Sequence, residues 1–459
     1  MRRTVGLASC LLGIGIVAGC TSDPEPALDP RATVTDQPAA SKQAPLAIIV
    51  HPSRGTLDVS KATAKEIESG APTNWSAFGA EPARATVITT GEAAARVRAV
   101  ARDPDAIAAV SAHQVDPRVR TVLVGGVDPL TDPENYSLTT AGKPAPDPVT
   151  VTAAGDLMLA RGVAEFNGAD GWPALRPTAA RLASADLTVG NLESALSQDG
   201  DPIQGTDSFG ADPAVLGSLQ RAGFDVLSLA NNHVGDFGEV ALDQTLRRID
   251  RSRIERVGAG FDLPDASKPT VVEVDGTRIA FVAFNSIGEA PPATANSPGV
   301  VQLRMPPRTG PLNRDDLDAV VQQIRAVKQK VDTVFAIPHW GDQYTSRPSE
   351  LQRRIARQLA DAGATAVLGG HPHWVQGLEM VDDTLVAYSL GNFIFDMDFS
   401  EPTMQGIALD LTLWNGRLMA ATPVAVQLDP SFVARFVVGL REDQILDDVW
   451  SNSYGSFRP

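Results

Sequence analysis

Cysteine is almost missing from this chain. Of 459 residues only Cys10 and Cys20 carry a thiol, and both stand at the extreme N-terminus. Cleavage just before Cys20 would leave no intrachain disulfide. A basic excess is lacking as well: Asp and Glu number 55 against 39 Lys and Arg, a formal charge of −16. A partner built of phosphates needs clustered Lys and Arg to neutralise it, so no nucleic acid is expected as a partner. An anionic ligand stays compatible where a bound cation inverts the local potential. No repeat of fixed period recurs. Histidine is scarce too, with six in all, and where they stand turns out to matter. Length and composition leave a globular chain with room for two domains or one large one.

The first twenty residues carry Arg2-Arg3 and then an apolar run ending at Ala18. The run is too short to favour a spanning helix and has the charged and hydrophobic parts of a secretory signal. It closes on Val17-Ala18-Gly19-Cys20, which resembles a bacterial lipobox, and that resemblance implies a signal peptide over 1–19 and lipidation of Cys20. Residues 20–44 are rich in Pro, Ala, Asp, Thr and Ser with no apolar period, the composition of a disordered tether. A small α/β region is expected over 45–130, beginning at the apolar strand Leu46–Val50. Its segments Ile48 to Ser53, Leu57 to Ile67 and Thr73–Trp75, with Asp103–Ile107 and Val122–Gly126 further on, resemble a phosphate-type periplasmic binding protein. The loop groups there are His51 and Ser53, which also read as ordinary turn residues. Residues 131–148, with Asp132-Pro133 and Pro144–Pro148, read as a linker. The main domain is expected over 149–440, and 441–459 reads as a frayed C-terminal tail.

Within the main domain, short apolar runs recur at 149–154, 187–190, 226–230, 279–284, 331–337 and 366–369. Helical patterns at 213–222, 239–249, 312–330 and 350–362 alternate with them, which predicts a layered α/β sheet with its site at the C-terminal strand ends. Asp275-Gly276 and Asn415-Gly416, each flanked by β-formers, predict hairpins. Five of the runs end in a polar cluster: Gly155-Asp156, Gly190–Glu193, Ala230–His233, Pro338–Gly341 and Gly369–His373. Four of the six histidines lie in these clusters. Imidazole, carboxylate and carboxamide groups gathered at strand ends are what a divalent-metal site requires.

Taken in order, the motifs Gly155–Arg161, Val189–Glu193, Ser228–His233, His339–Tyr344, Gly370–His373 and Tyr388–Phe393 resemble the CapA family of poly-γ-glutamate capsule synthesis. That family is itself similar to the calcineurin-like metallophosphoesterases. The resemblance spans about 149–400 and implies a four-layer α/β/β/α sandwich, preceded here by the small α/β domain, with one or two divalent ions (Mn, Zn or Fe). Asp156, Glu193, Asn232, His339, His371 and His373 are the expected metal ligands, and His233 is the expected general acid. Two departures from the phosphoesterase pattern stand out. Met158 occupies the position of a ligating His, and it is a poor ligand for a hard dication. Asn191 occupies the position of a bridging Asp, which makes Glu193 the better bridge. Arg161, Asn191, Trp340, Tyr344 and Asn392 are the expected substrate-binding residues; a surface ion pair for Arg161 and plain packing for the aromatics are the alternatives.

The expected function is that of a lipid-anchored metal-dependent hydrolase on the outer face of the cytoplasmic membrane. It would act on an anionic envelope polymer or a small anionic ester or amide, within a capsule-synthesis complex. The rival expectation is a non-catalytic accessory protein whose metal site holds the carboxylates of a polyanion. A third is a solute receptor over 45–130 with the main domain as its effector.

Overall fold

The computed structural model describes residues 43–71, 73–78 and 83–459. The signal, Cys20 and residues 20–42 of the tether lie outside them. The first strand begins at Gln43, two residues inside the segment expected as tether.

The strand Pro148–Leu157 is the axis of the main domain. On its parallel side lie Leu187–Leu192, Val226–Ser228 and Glu255–Val257; on its antiparallel side lie Gln405–Trp414, Arg417–Leu428 and Ala434–Phe436. A second sheet runs Thr270–Val274, Thr277–Asn285, Thr333–His339, Ala366–Leu368, Thr384–Ala387, Leu378–Val381, with its four central strands parallel. Alternation along the strands decides what each face meets. Val149, Val151 and Ala153 point with Val189, Phe281, Phe335 and Leu368 into the layer between the sheets. The opposite face of the first sheet, with Leu157, Leu192 and Leu227, is covered by the helices Trp172–Leu182, Val215–Ala222 and Gly238–Asp250. The outer face of the second sheet, with Val282 and Val334, is covered by Arg314–Lys328 and Glu350–Asp361. The result is an α/β/β/α sandwich.

Local chemistry sets the boundaries. Ser349 and Gln352 close a reciprocal capping box at the last of these helices, and Asn313 caps Arg314–Lys328 with Asp315 and Asp316 in its first turn, where carboxylates meet the positive end of the dipole. At the hairpins, Asp275-Gly276 and Asn415-Gly416 all have positive φ, the conformation a two-residue primed turn needs.

Residues 43–141 form a separate sheet in the order Thr73–Asn74, Arg84–Ile88, Ala106–Ser111, Gln43–Val50, Arg120–Thr121. The segment expected as a linker is partly built into it. Thr139–Ala141 pairs with Gln43–Pro45, and buried Tyr136 donates its hydroxyl to the Leu46 carbonyl at 3.1 Å. Ala47, Ile49 and Val110 of this sheet share a core with Trp414 and Met419 of the main domain. The expectation of a frayed tail is overturned as well. Leu440–Asn452 is a helix whose Ile445, Leu446, Val449 and Trp450 enter the layer between the sheets, with Phe457 beyond it. Acidic residues on its exposed face hid an apolar stripe at helical spacing. No helix among the described residues is long and apolar enough to cross a membrane.

Because Trp450 is 3% exposed, Trp450→Ala should lower stability by about 3 kcal/mol, read as a lower urea midpoint. An unchanged midpoint would show the segment to be peripheral.

Candidate metal centre

Parallel strands deliver their C-terminal ends to one edge of the sandwich. Asp156 stands at the end of the axial strand and His339 closes its own; Glu193 follows the next strand directly, and Asn231–His233 and His371–His373 come just past the ends of Val226–Ser228 and Ala366–Leu368. Gly370 is required by proximity, since a Cβ there would stand 2.5 Å from the Asp156 carboxylate. His371 (φ 99°) and His373 (φ 58°) adopt left-handed backbone, a strain of about 1–3 kcal/mol each that surrounding structure has to hold and that tends to gather at functional sites.

The six expected ligands come together. Glu193 is fully buried, and its Oε1 has no hydrogen-bond partner. Around that oxygen stand three imidazole nitrogens: His339 Nε2 at 3.6 Å, His233 Nε2 at 4.0 Å and His373 Nε2 at 4.0 Å. These are too long for hydrogen bonds, but two ligands of one ion with bonds of about 2.1 Å lie roughly 3–4 Å apart. The buried His371 Nδ1 is likewise unpartnered. Two overlapping donor sets result, Glu193–His339–His371 and Asp156–Glu193–His373, and Glu193 belongs to both. Asn232 turns its Oδ1 to within 2.8 Å of His339 Nε2, so its carbonyl joins the first set.

Burial governs the protonation of this cluster. It pushes Asp156 up to about 6, against the opposing hydrogen bonds from the Asn191 amide and the His371 N–H. It pushes Glu193 well above the carboxylate range, helped by the charges of Asp156, Asp236 and Glu289. The same desolvation holds His339 and His371 well below the usual imidazole value and His373 at about 4. Three neutral imidazoles and two buried carboxylates lacking a counter-charge fit a divalent cation, since ligation needs unprotonated nitrogen and repays buried negative charge.

The remaining expected residues divide. Arg161 lines an open cavity of about 450 Å³ beside the donors, together with Phe209, His233, Arg308, Tyr344 and Phe399. Its guanidinium pairs with Asp396 and Asp207 and lies 4.3 Å over the Phe209 ring. Tyr344, 37% exposed, packs edge-on to Phe399 in the same cavity. Three substrate-binding expectations are corrected. Trp340 is fully buried in the outer layer, with its indole N–H on the Tyr388 carbonyl at 3.0 Å. Asn392 is also buried; it accepts His373 Nδ1–H at 2.9 Å, which leaves Nε2 free to face Glu193. Asn191 is an internal hub, giving its Nδ2 to Asp156 at 2.8 Å and accepting Asn231 at 3.0 Å. Met158 is core, its sulfur against the Ala160 N–H.

Sequence reasoning missed Asp236. Its carboxylate accepts His233 Nδ1–H at 2.8 Å, the Phe209 N–H at 2.7 Å and the Gln204 amide at 2.6 Å. With Nδ1 engaged, His233 Nε2 faces the cavity, and Phe209 stacks on the ring at 3.8 Å. Asp236 stands three residues after His233, a short-range spacing that marks an orienting carboxylate. Beside the Gln43–Val50 strand, His51 Nδ1 and Ser53 Oγ lie within hydrogen-bond distance at 2.8 Å across a turn, with His51 buried.

Residues 150–397 match the family profile described as bacterial capsule synthesis protein PGA_cap. The chain belongs to this capsule synthesis protein family. It is similar to the capsule biosynthesis protein CapA of Bacillus anthracis, 29% identical over 66% of this chain and 75% of that protein. It is similar to the PGA biosynthesis protein CapA of Bacillus subtilis, 30% identical over 55% of this chain and 65% of that one. A probable polyglutamine synthesis accessory protein of Mycobacterium tuberculosis is 28% identical over 55% of this chain and 76% of its own length. All six motifs that carried the resemblance start within the matched PGA_cap stretch, and so do both donor sets.

A cation must displace the proton that Asp156 holds up to about pH 6, whereas His373, already neutral above about 4, gives up none in that range. Mn2+ affinity measured by calorimetry should therefore rise with pH through about 6, by up to roughly tenfold per unit for each proton displaced. Glu193, held well above the carboxylate range, gives up a proton as well, so Asp156→Asn should lower that slope by about one proton without abolishing it, and weaken binding. An affinity that stays level across this range would contradict the assignment.

Proposed function

We propose that this chain is a metal-dependent hydrolase of the bacterial cell envelope, acting on an anionic ester or amide in the synthesis or export of a poly-γ-glutamate-type polymer. The observation that carries the reading is the buried, unpartnered Glu193 Oε1 ringed by imidazole nitrogens. The relatives' names supply the setting in capsule and PGA biosynthesis. Divalent cations of the Mn, Zn or Fe type, when bound, supply Lewis acidity toward the scissile group and an activated water. The chain's own groups do the rest. Asp156, Glu193, His339, His371, His373 and the Asn232 carbonyl hold the cations. Asp236 fixes His233 so that Nε2 meets the cavity, where it hands a proton to the leaving group. Arg161 and Arg308 stand on the cavity wall for the substrate's negative charge. Lipidation at Cys20 would keep this site at the outer face of the cytoplasmic membrane, beside a growing polymer and the complex that makes it.

One observation favours a second reading, binding without turnover. Met158 and Asn191 leave the Asp156–Glu193–His373 set with a single imidazole, so a cation there would be held weakly and would suit grip on carboxylates more than catalysis.

Purified protein loaded with Mn2+, Zn2+ or Fe2+ should hydrolyse at least one of a phosphomonoester, a phosphodiester and a γ-glutamyl amide. His233→Ala should cut that rate by about 10²–10⁴-fold while bound metal stays unchanged. Metal bound with no turnover on any of these, together with saturable binding of polyglutamate, would establish the accessory reading instead. For the anchor, Cys20→Ser should move the protein from the membrane fraction to the soluble exported fraction; retention in the membrane would refute lipidation.

A further inference from the structure

The carbonyl of Asn232 can serve a cation only if the amide is turned the right way, and a carboxamide is free to turn. Rotated half a turn, it would offer its NH2 group, which repels a cation. Something outside the donor sets has to choose the face, and the structure contains such a group. Glu289 Oε2 accepts Asn232 Nδ2 at 2.9 Å. A carboxylate without a proton only accepts, so this contact allows one orientation: NH2 toward Glu289, Oδ1 toward His339 Nε2 at 2.8 Å. The other oxygen of Glu289 takes Arg308 Nη2 at 2.5 Å, so both ends of the carboxylate are occupied and its plane is fixed.

Backbone construction argues the same way. Gly288 (φ 89°) and Glu289 (φ 66°) are consecutive left-handed residues, a conformation a glutamate adopts only at a cost. The loop that holds them there hangs on the His339 strand pair. Asn285 lies in register with His339, Ser286 N–H donates to the His339 carbonyl at 2.9 Å, and Asn285 Nδ2 donates to the Gly288 carbonyl at 3.0 Å. The group that orients Asn232 is therefore built on the same pair of strands as the histidine that Asn232 faces.

We infer that Glu289 is a positioning residue for the cation site: held by Arg308, it turns the Asn232 carbonyl toward the Glu193–His339–His371 donors. The inference rests on the metal-centre reading above and adds to it an orienting pair from outside the ligand set. Orienting partners of this kind typically change metal affinity by about 10- to 100-fold.

Glu289→Gln is the informative variant. Glutamine has one acceptor and one donor end, so it cannot accept from Arg308 and Asn232 together. It either gives up Arg308 or turns the Asn232 amide. Calorimetric titration of the chelator-treated protein with Mn2+ should show affinity about 10- to 100-fold lower than for the unaltered chain. Loss of a negative charge near the site would by itself weaken cation binding, and a double-mutant cycle separates the two causes. If Glu289 acts through Asn232, adding Glu289→Gln to Asn232→Ala costs little further affinity; a simple charge effect would persist in full in that background and would overturn the inference. Affinity unchanged within about twofold in Glu289→Gln would also overturn it. Should that variant fail to fold, Glu289→Asp, whose shorter arm cannot reach both partners, is read in the same way. If the unaltered protein binds no Mn2+, the metal-centre reading fails and the inference with it; Mn2+ binding that ignores position 289 removes the inference alone.

Discussion

A carboxylate oxygen with nothing to bind, deep inside the protein, is the constraint from which the rest of this structure is best understood. Burying an ion without a partner costs several kcal/mol even after relaxation, and Glu193 is fully buried with Oε1 unpaired. Apolar side chains would stabilise the same space better. The fold instead spends strained backbone at His371 and His373 and a glycine at 370 to bring more polar groups beside it. Such an arrangement is sensible only if positive charge enters. A dication restores the electrostatic balance that the protein groups alone leave unmet, and it needs the neutral imidazoles that burial already maintains.

A single-residue account of the site would miss how its donors are aimed. Several groups in and around the donor sets are turned by a neighbour that would not itself touch a cation. Asn191 holds Asp156, Asn231 holds Asn191, Asn392 sets the tautomer of His373, and Asp236 sets that of His233. Carboxamides suit these posts because one end donates while the other accepts, so each can connect two parts of a network without adding charge. Asn191 in place of an acid, read from sequence as a weakened ligand, looks different here. A third carboxylate beside Asp156 and Glu193 would have raised their proton affinity further; an amide lowers that of Asp156.

How far the sequence could be read depended on the range of the interaction. The strands, the hairpins at Asp275-Gly276 and Asn415-Gly416, and the convergence of Asp156, Glu193, Asn232, His339, His371 and His373 were legible, because each rests on a local pattern or on chemistry repeated at successive strand ends. Glu289 was not, since nothing near it in sequence says that it meets Asn232. Trp340 and Asn392 were misassigned for the opposite reason. Adjacency to His339 suggested a cleft for Trp340, whose indole instead points into a packed layer; membership of the Tyr388–Phe393 motif suggested one for Asn392, whose buried carboxamide is taken up by His373 and the Thr403 carbonyl. Thr139–Ala141 and Leu440–Asn452 hid behind composition: prolines and acids set the average while a few apolar positions made the contacts.

The cavity in front of the donors is a poor receptor for anions on its own. Among its lining residues the positive charges set against the carboxylates of Asp207, Glu289 and Asp396 are the guanidiniums of Arg161 and Arg308, and both guanidiniums are already paired with those acids. Behind them stand Asp156 and Glu193, so an incoming anion meets a field that repels it. On the proposed reading, bound cations reverse that sign and make substrate entry conditional on metal. The paired arginines then have a definite part. Each can shift some of its hydrogen bonding from its own acid to the substrate with no change in the number of charges buried, which costs less than drawing an unpaired guanidinium out of water. Tyr344 and the exposed Phe399 form the rim beside them, and on the same proposed reading they would offer an apolar ledge to the uncharged stretch between the charges of a polymer.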